Sequence, residues 1–369
     1  MGWKDEQVIE LDSLYQGLFD WLCKQHDSIS GGFYYARSSI ADPNLTPDIE
    51  STAQAINILR RHQLLETLPM EIKKGLIRFF QLKQDPRTGY FYDSNPYMKM
   101  DEVMVHRALN YASNSLKRIG SKPLYPMPVD LNVAPSYTKS LASYKRKWES
   151  IDLSNSWRGC DILASSTVYM GQLEPSKQEA YTKEMAAFLA DLQDEETGLW
   201  GEGSYYVRIS GTFKLHTFYR KFQIPMPNQD KIYQSILYSL RNEKALDMCY
   251  VRNPIDLLSY LDIPIDESEL REIMTITIQN LRRLKREDGA FSREVDHSPK
   301  APNVAQVKGL GDYPDMPTPV ILSHGLYEGD MNATTQATLI RNQLHRFLNK
   351  EPRPLVDRVS FYELLKQQI

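Results

Sequence analysis

Cysteine is scarce in this chain of 369 residues, which has three, Cys23, Cys160 and Cys249, far apart in the sequence. An odd number of widely spaced cysteines offers no disulfide framework and favours a reducing compartment. Long apolar runs are also missing, since no segment reaches the roughly 18 apolar residues that a membrane span requires. The N-terminal stretch lacks a basic leader followed by an apolar run, which a secretory signal would show. We therefore expect a cytoplasmic protein with no membrane span.

No excess of one charge sign is present, because 44 Lys and Arg stand against 47 Asp and Glu. Nucleic acids and anionic membranes require a basic face, so we expect no nucleic acid as partner. The sequence contains no nucleophile elbow, phosphate loop, dinucleotide fingerprint or His-Glu-x-x-His motif. We therefore expect no cofactor, and a small molecule as the ligand. The oligomeric state is left open.

Strand-like alternation is missing as well, and helical periodicity dominates. Apolar residues recur three and four positions apart in most long segments, which gives each helix one buried stripe. The segments are "ESTAQAINILRRHQLL" (50–65), "MEIKKGLIRFFQLKQ" (70–84), "DEVMVHRALNYASNSLKRI" (101–119), "PSKQEAYTKEMAAFLADLQ" (175–193), "NQDKIYQSILYSLRN" (228–242), "DESELREIMTITIQNLRRLKR" (266–286) and "ATTQATLIRNQLHRFLN" (333–349). An all-α fold is predicted.

Glycine is uncommon, at 18 residues, yet it recurs beside aromatic residues after helix tails. The stretches are "RFFQLKQDPRTGYFYD" (78–93), "FLADLQDEETGLWGEG" (188–203), "LRRLKREDGAFSR" (281–293) and "SISGGFYYARSS" (28–39), the last of which keeps Gly32 and Phe33 but lacks the acidic turn. The spacing fits a unit of about 50 residues with one degenerate copy near residue 145, which indicates a repeat architecture. The unit predicted is a helical hairpin, repeated around a closed α/α toroid with these turns on one rim. Gly would permit close approach of helix ends, and the aromatic residue would fill the gap.

Two segments do not fit the helical pattern: the Pro-rich residues 121–138 predict an irregular crossover, and residues 293–325 form an unusually long loop with several prolines. Loops of this length in compact domains are usually lids, binding loops or disordered inserts. We predict a single domain over 1–369 with a lid at 293–325.

The stretch "SGGFYYARSSIADPNLTPDIESTAQAINIL" resembles a repeat of the terpenoid cyclase and protein prenyltransferase superfamily of α/α toroids. The residues that match are Gly31, Gly32, Phe33, Thr52, Ala53 and Ala55. The resemblance implies a central cavity that binds or acts on an isoprenoid or another apolar molecule. It covers about two thirds of the chain as fold-level patterning, and fold does not determine function.

Two motifs of that superfamily can be compared with this sequence. Its Asp-x-Asp-Asp acid motif is similar to Asp48, Glu50 and Ser51, with Glu50 at the place of the proton donor. Its zinc-binding Asp-x-Cys-Tyr segment is similar to "LDMCY", with Asp247 and Cys249 as ligands. The third ligand of the superfamily is a His before a Thr, where this chain has Ala333. Because catalytic zinc normally needs three protein ligands, we predict that no zinc is held tightly here.

The candidate catalytic residues are Asp48, Glu50 and Asp330. "DIESTAQAINIL" and "DMNATTQATLIR" both begin with Asp and reach Thr four residues later, so in a ring of repeats their N-termini should lie near one another. The alternative is that both Asp residues cap helices. The candidate substrate-binding residues are His216, Tyr219 and Trp200, and their alternative is packing in the core.

Three functions remain open at this point, and whether the protein is an enzyme is undecided. The first is a toroid that binds or acts on an isoprenoid, with aromatic faces that stabilise cations. The second is a hydrolase or lyase of glycans, in which Asp48 or Glu50 pairs with Glu328 or Asp330. The third is a scaffold without catalysis. An apolar cavity wall would favour the first, a wall with carboxylates and aromatic residues the second, and a filled centre the third.

Overall fold

The computed structural model describes residues 2–305, 307, 313–355 and 357–366. Within these ranges the chain is helical and forms only isolated β-bridges, so the predicted all-α class is confirmed. No helix in them is long and apolar enough to cross a membrane. The α-helices are α1 (Trp3–Ser13), α2 (Leu18–Lys24), α3 (Arg37–Ile40), α4 (Ile49–Arg61), α5 (Met70–Leu82), α6 (Glu102–Arg118), α7 (Leu141–Glu149), α8 (Ser156–Ser166), α9 (Pro175–Leu192), α10 (Tyr205–Lys221), α11 (Gln229–Asn242), α12 (Met248–Leu258), α13 (Glu267–Leu284), α14 (Met331–Phe347) and α15 (Arg358–Lys366). Short 3₁₀ helices lie at Pro96–Met100, Ser136–Lys139 and Tyr169–Gln172.

Every second helix from α4 to α14 packs on the next member of the same set, and α14 packs back on α4. We call α4, α6, α8, α10, α12 and α14 the cycle helices. Neighbours meet at matching depths: Asn332 in the first turn of α14 contacts Glu50 in the first turn of α4. Arg252 of α12 likewise contacts Gln336 of α14. The cycle helices therefore run in the same direction, and we call their two ends the starting end and the finishing end.

Polar caps explain where the cycle helices begin. The first four N–H groups of a helix have no partner inside it, and a short polar side chain before the helix can accept from one of them. Here the side-chain oxygen of each cap accepts from a backbone N–H two or three residues later. The caps are Asp48, Asp101, Asn155, Ser204, Asp247 and Asp330.

The remaining long helices lie against this cycle. Helix α5 packs on α6, α11 packs on α10, and α13 packs on both α12 and α14. The N-terminal helix α1 packs on α13 and α14, while α2 packs on α15. Cycle and non-cycle helices alternate along the chain from α4 to α14. The hairpin repeat stays a prediction.

The four Gly-aromatic turns share one backbone pattern, with two corrections to the sequence interpretation. In the turn at Gly89, the amide of Asp85 donates to the carbonyl oxygen of Tyr90, and the amide of Gly89 donates to the carbonyl oxygen of Asp85. Three of the four turns have this pair of backbone hydrogen bonds. The residue with positive φ in the first turn is Gly31, at 80°, and not Gly32. That turn also has an acidic residue after all, because the carboxylate of Asp27 accepts from the amides of Ile29 and Ser30.

Close packing explains why these turns need Gly and an aromatic residue. A Cβ on Gly31 would lie 2.4 Å from the backbone of Gly75, and one on Gly289 would lie 2.3 Å from the carbonyl oxygen of Gly17. The four aromatic side chains have no exposed surface; they are Phe33, Phe91, Trp200 and Phe291. The turns contact the first turns of cycle helices, as when the amide of Phe291 donates to Thr334 and that of Phe33 to Thr52. They lie at the starting end.

Candidate functional site

Two predicted catalytic residues, Asp48 and Asp330, are N-caps. Asp48 accepts from the amide of Ser51 at 2.8 Å, and Asp330 accepts from the amide of Ala333 at 2.7 Å. Their side chains are enclosed, since the residues are 4% and 0% exposed. Capping is thus the role that the geometry shows, and catalysis by these residues stays a prediction.

Enclosure changes the acidity of both caps. Burial raises the pKa of Asp48 to about 7, and the charge of Asp93 adds to the rise. Asp93 itself accepts from the amide of Ile49 and pairs with Lys83 at 2.8 Å. Burial also raises the pKa of Asp330 to about 6, although its carboxylate accepts from the amide of Arg293 and the hydroxyl of Ser298. These carboxyl groups are therefore held partly protonated near neutral pH.

Glu50 is the one predicted catalytic residue that lies beside polar groups of another cycle helix. Its Oε1 accepts from Gln54 Nε2 at 3.0 Å and from Asn332 Nδ2 at 3.3 Å. Glu50 is therefore brought close to the start of α14, as the sequence predicts. In the part of the chain that the structure describes, no hydrogen bond joins Asp330 to Asp48 or to Glu50.

The predicted substrate-binding residues are all buried. Trp200 has no exposed surface and donates from Nε1 to the carbonyl oxygen of Leu189 at 2.7 Å. His216 and Tyr219 are each 2% exposed. The His216 ring packs 4.4 Å from that of Tyr260, and burial lowers its pKa to about 4, so it is neutral. The observed contacts are those of core packing, and substrate binding by the three stays a prediction.

The oxygens of Asp247 already have partners. Asp247 caps α12 by accepting from the amide of Cys249 at 2.7 Å, and it pairs with Arg293 Nε at 3.3 Å. Ala333, where the superfamily has a zinc-binding His, is fully buried. Among the described residues, no group of three or more His, Cys, Asp or Glu side chains could hold a metal ion.

The segment predicted as a lid lies across the starting end of the cycle helices. Its Asn303 donates to the cap Asp101 at 3.2 Å, and Tyr313 donates to the carbonyl oxygen of Asp152 just before α8. Arg293 and Ser298 contact the caps of α12 and α14. Residues 306 and 308–312 of the predicted lid lie outside the described ranges. The described part therefore covers the starting end of the cycle helices.

A second group of polar side chains lies inside the cycle. We call it the interior polar cluster; its members are Glu50, Gln54, Arg107, Tyr111, Asp161, Lys214, Arg252, Asp256, Asn332 and Gln336. Burial and the charge of Glu50 raise the pKa of Tyr111 on α6, and the charge of Arg252 on α12 opposes that rise. Helices α6 and α12 are not neighbours in the cycle. The charge of Arg252 nevertheless acts on Tyr111, so the two side chains lie near one another.

Asp161 is the centre of one ion network in this cluster. Its carboxylate pairs with Arg107 of α6 and, at 3.3 Å, with Lys214 of α10. Burial alone would raise the pKa of Asp161, but the positive charges of Arg107 and Lys214 hold it below its usual value. Burial lowers the pKa of Lys214 to about 8, with Asp161 opposing the change. Asp161 is therefore ionised, whereas Lys214 can lose its proton near neutral pH.

Arg252 of α12 is the centre of a second network, which includes residues of α10 and α14. Its guanidinium lies 3.8 Å from the centre of the Phe213 ring, and its Nε donates to Gln336 at 3.2 Å. Asp256, one turn further along α12, lies 3.9 Å from Arg252 and accepts from Gln343 at 2.9 Å. Such contacts fix the position of the guanidinium while leaving its remaining N–H groups for a ligand.

Solvent reaches these groups although they lie inside the cycle. The side chains of Arg107, Lys214 and Arg252 are 21%, 16% and 15% exposed. A charge that is neither fully buried nor fully solvated can exchange its water for a ligand at moderate cost. The interior polar cluster thus combines three partly exposed cations with carboxylates that are buried, Asp161 and Asp256.

Exposed cations surround the finishing end of the cycle helices. They lie in the last turns of α4, α6, α10 and α14, where a positive charge also complements the helix dipole. The exposed cations are Arg60, Lys117, Arg118, Arg220, Lys221 and Arg346. Their field would attract a negatively charged ligand toward the inside.

Sequence reasoning missed most of the interior polar cluster, which contains Arg107, Asp161, Lys214 and Arg252. A signal was present, because a polar residue stands six positions after each cap of the cycle helices. These residues are Gln54, Arg107, Asp161, Ser210, Asn253 and Gln336.

Comparison with known proteins adds no relative to this description. No protein-family model matches the sequence, and no curated protein matches it. The function has to be argued from the geometry of the interior polar cluster.

Proposed function

We propose that the chain is an α/α toroid that binds an acidic saccharide inside the ring and cleaves it by β-elimination. The toroid is supported by the cycle of contacts from α4 to α14 and back to α4. The observation that carries the function is the charged inner surface, where Arg107, Lys214 and Arg252 are fixed yet accessible to solvent. An acidic saccharide offers a carboxylate for the cations and hydroxyl groups for the amides and carboxylates.

The same surface argues against an isoprenoid in the ring. An apolar chain would displace water from several charged groups, at an effective cost of several kcal/mol for each ion that loses its hydration. It would have no polar groups to give in return. The aromatic residues beside the cluster are themselves occupied by cations, since Lys214 lies 4.9 Å from the centre of the Trp157 ring. A saccharide is compatible with these contacts because it carries both polar groups and apolar C–H faces.

The electrostatics favour elimination over hydrolysis. Hydrolysis of a glycoside needs a protonated carboxylic acid to donate to the leaving oxygen. Asp161 does not suit that role, because Arg107 and Lys214 keep it ionised. Elimination needs cations that neutralise the substrate carboxylate, a base with a pKa near the working pH and a proton donor. The cations would be Arg107 and Arg252. The base would be Lys214 and the proton donor Tyr111.

The proposed reaction needs no other reactant, because its proton transfers involve only the substrate, Lys214 and Tyr111. Arg107 and Arg252 bind the uronate carboxylate, which acidifies the C–H bond beside it. The neutral amine of Lys214 takes that proton, the electron pair forms a carbon–carbon double bond, and the adjacent bond to the glycosidic oxygen breaks. The hydroxyl of Tyr111 donates a proton to the departing oxygen. Proton transfer back from Lys214 to Tyr111, directly or through water, restores both groups.

The test measures unsaturated product. Purified protein is incubated with uronate-containing polysaccharides and with neutral polysaccharides, and the ultraviolet absorbance of the conjugated double bond is followed. We expect product from an acidic saccharide alone, and a loss of at least about a hundredfold in Lys214→Gln, which is typical for a general base. The matched control is Lys221→Gln: Lys221 is also on α10, and although the residue as a whole is exposed, desolvation of its amine likewise lowers its pKa to about 8. Its amine contacts the carbonyl oxygen of Thr167 and not the interior polar cluster.

Several outcomes would contradict the proposal. Saturated products would indicate a hydrolase, and equal activity in the Lys214 and Lys221 variants would remove Lys214 from the chemistry. Tight binding of an isoprenoid that Arg252→Gln leaves unchanged would favour an apolar ligand. Absence of both binding and turnover with every saccharide would leave a scaffold.

A further inference from the structure

A cavity of about 570 Å³ lies between the finishing ends of α4 and α14 and the segment before α15. Its lining is strongly cationic, with a single carboxylate, Glu351. The positive side chains that line it are Arg61, Arg341, Arg346, Lys350, Arg353 and Arg358. The volume falls in the range of pockets for small molecules, which is about 300–1,000 Å³.

Part of this charge is fixed in place by partners at the edge of the cavity. Arg341 is 1% exposed; it donates to Asp12 at 2.7 Å and to the carbonyl oxygen of Arg353 at 2.7 Å. Lys350 pairs with Asp5. These contacts hold the segment that carries Arg353 against α14 and so fix the shape of the cavity.

Other cations of the lining lack such compensation. Arg346 and Arg353 are exposed, and neither has a carboxylate partner among the described residues. Among the described residues, Arg61 is bound by neutral oxygens, those of Thr335 and Thr338. Burial lowers the pKa of Arg61 to about 9, and the neighbouring Arg60 adds to the shift. An anion in the cavity would relieve this repulsion.

The helix dipole explains only some of these positions. A cation in the last turn of a helix is favourable, which accounts for Arg61 on α4 and Arg346 on α14. Arg358 is the first residue of α15, but it donates to the carbonyl oxygen of His62 at the end of α4, where a cation is favourable. Arg353 lies in an irregular segment, so neither a helix dipole nor such a contact accounts for its charge beside Arg346, and this points to an anionic ligand.

We propose that this cavity binds a small molecule carrying phosphate groups, at a site additional to the interior polar cluster. A guanidinium group can donate two parallel hydrogen bonds to the oxygens of one phosphate. Several arginines around one cavity therefore suit a ligand with more than one phosphate group. His62 also lines the cavity and is 5% exposed, and within the described ranges its Nε2 has no hydrogen-bond partner. Burial lowers the pKa of His62 to about 3, so it meets the ligand as a neutral group.

The experiment is calorimetric titration with inorganic pyrophosphate, without any saccharide, so its outcome does not depend on the proposed function. The test variant is Arg346→Gln with Arg353→Gln, two exposed residues whose loss should leave the fold intact. The matched control is Arg78→Gln with Arg146→Gln, which removes two equally exposed arginines of α5 and α7 and the same total charge. Thermal unfolding verifies that all three proteins are folded.

We expect one pyrophosphate per wild-type chain, affinity weaker by about a hundredfold in the test variant and a change of less than about threefold in the control, since each lost charged hydrogen-bond pair changes affinity by roughly tenfold. Binding that weakens equally in both variants would mean attraction to net charge alone and would overturn the proposal. So would wild-type protein that does not bind pyrophosphate.

Discussion

The two ends of the cycle helices differ in almost every respect. At the starting end, acidic and polar caps are enclosed by the segment that includes Asn303 and Tyr313. At the finishing end, cations such as Arg118 and Arg220 are exposed. Both arrangements complement the helix dipole. The difference teaches that the same electrostatic rule yields enclosed caps at one end and exposed cations at the other, depending on what covers each end.

The largest expected effect concerns catalysis at the interior polar cluster. Because Lys214 must be neutral to accept a proton, kcat/KM should rise with pH and level off above an apparent pKa of about 8. Two pH units below that value the rate should fall by about a hundredfold. Asp161→Asn removes the charge that favours protonated Lys214, so the profile should move to lower pH. A profile that stays in place in this variant would show that another group titrates.

The next effect is a difference in stability between two glycine variants, one before α6 and one after it. Gly89 precedes α6 and Gly120 follows it, and both have positive φ, 72° and 78°. A Cβ on Gly89 would lie 2.2 Å from the carbonyl oxygen of Pro126, while one on Gly120 meets nothing within 4 Å. We expect Gly120→Ala to cost about 1 kcal/mol for the backbone conformation, and Gly89→Ala about 3 kcal/mol because of the added clash.

Denaturant unfolding of both Gly variants measures this difference. Equal losses of unfolding free energy would mean that the starting end adapts as readily as the finishing end. In that case the close packing of the Gly-aromatic turns would not contribute to stability.

Much of the starting end could be predicted from the sequence. Short-range chemistry fixes caps and turns: an Asp before an amphipathic run predicts a helix start, and Gly followed by a buried aromatic residue predicts the turn. The pattern could not distinguish Gly31 from Gly32, because the two are adjacent and both are closely packed, and only the backbone torsion shows that Gly31 has the positive φ.

The inside of the cycle could not be predicted in the same way. Glu50, Gln54, Asn57 and Arg61 lie on one face of α4, and a polar stripe on an amphipathic helix normally faces solvent. Periodicity tells which face is apolar, but it does not tell whether the polar face meets bulk water or an enclosed space. That depends on contacts between residues far apart in sequence, such as those of Arg252 with Gln336.

A smaller effect tests the enclosure of the caps by pH. Since burial raises the pKa of Asp48 to about 7, the folded protein keeps a proton there that the unfolded chain releases near pH 4. The unfolding free energy should therefore decrease as pH rises from about 4 to 7. Asp48→Asn keeps an oxygen for the amide of Ser51 and removes the charge. It should stabilise the protein by about 2 kcal/mol at pH 8 and by much less at pH 4.5.

Thermal unfolding of wild type and Asp48→Asn across this pH range provides the measurement. Asp93 shares the same environment and is the group that could take the proton instead. A stability gain that is equal at both pH values would place the titration elsewhere.

The smallest expected effect is at the finishing end. Arg118 is exposed and its only hydrogen bond among the described residues is to Asn57, so Arg118→Gln should change the unfolding free energy by less than about 0.5 kcal/mol. Its effect should instead appear in association, because a cation near an entrance accelerates the arrival of an anionic ligand. At low salt the association rate of an acidic saccharide should fall a few-fold in this variant, and the difference should disappear as added salt screens the charge. Stopped-flow binding at two ionic strengths separates the two ends: a variant that loses stability but binds at an unchanged rate would mean that Arg118 acts as a structural residue.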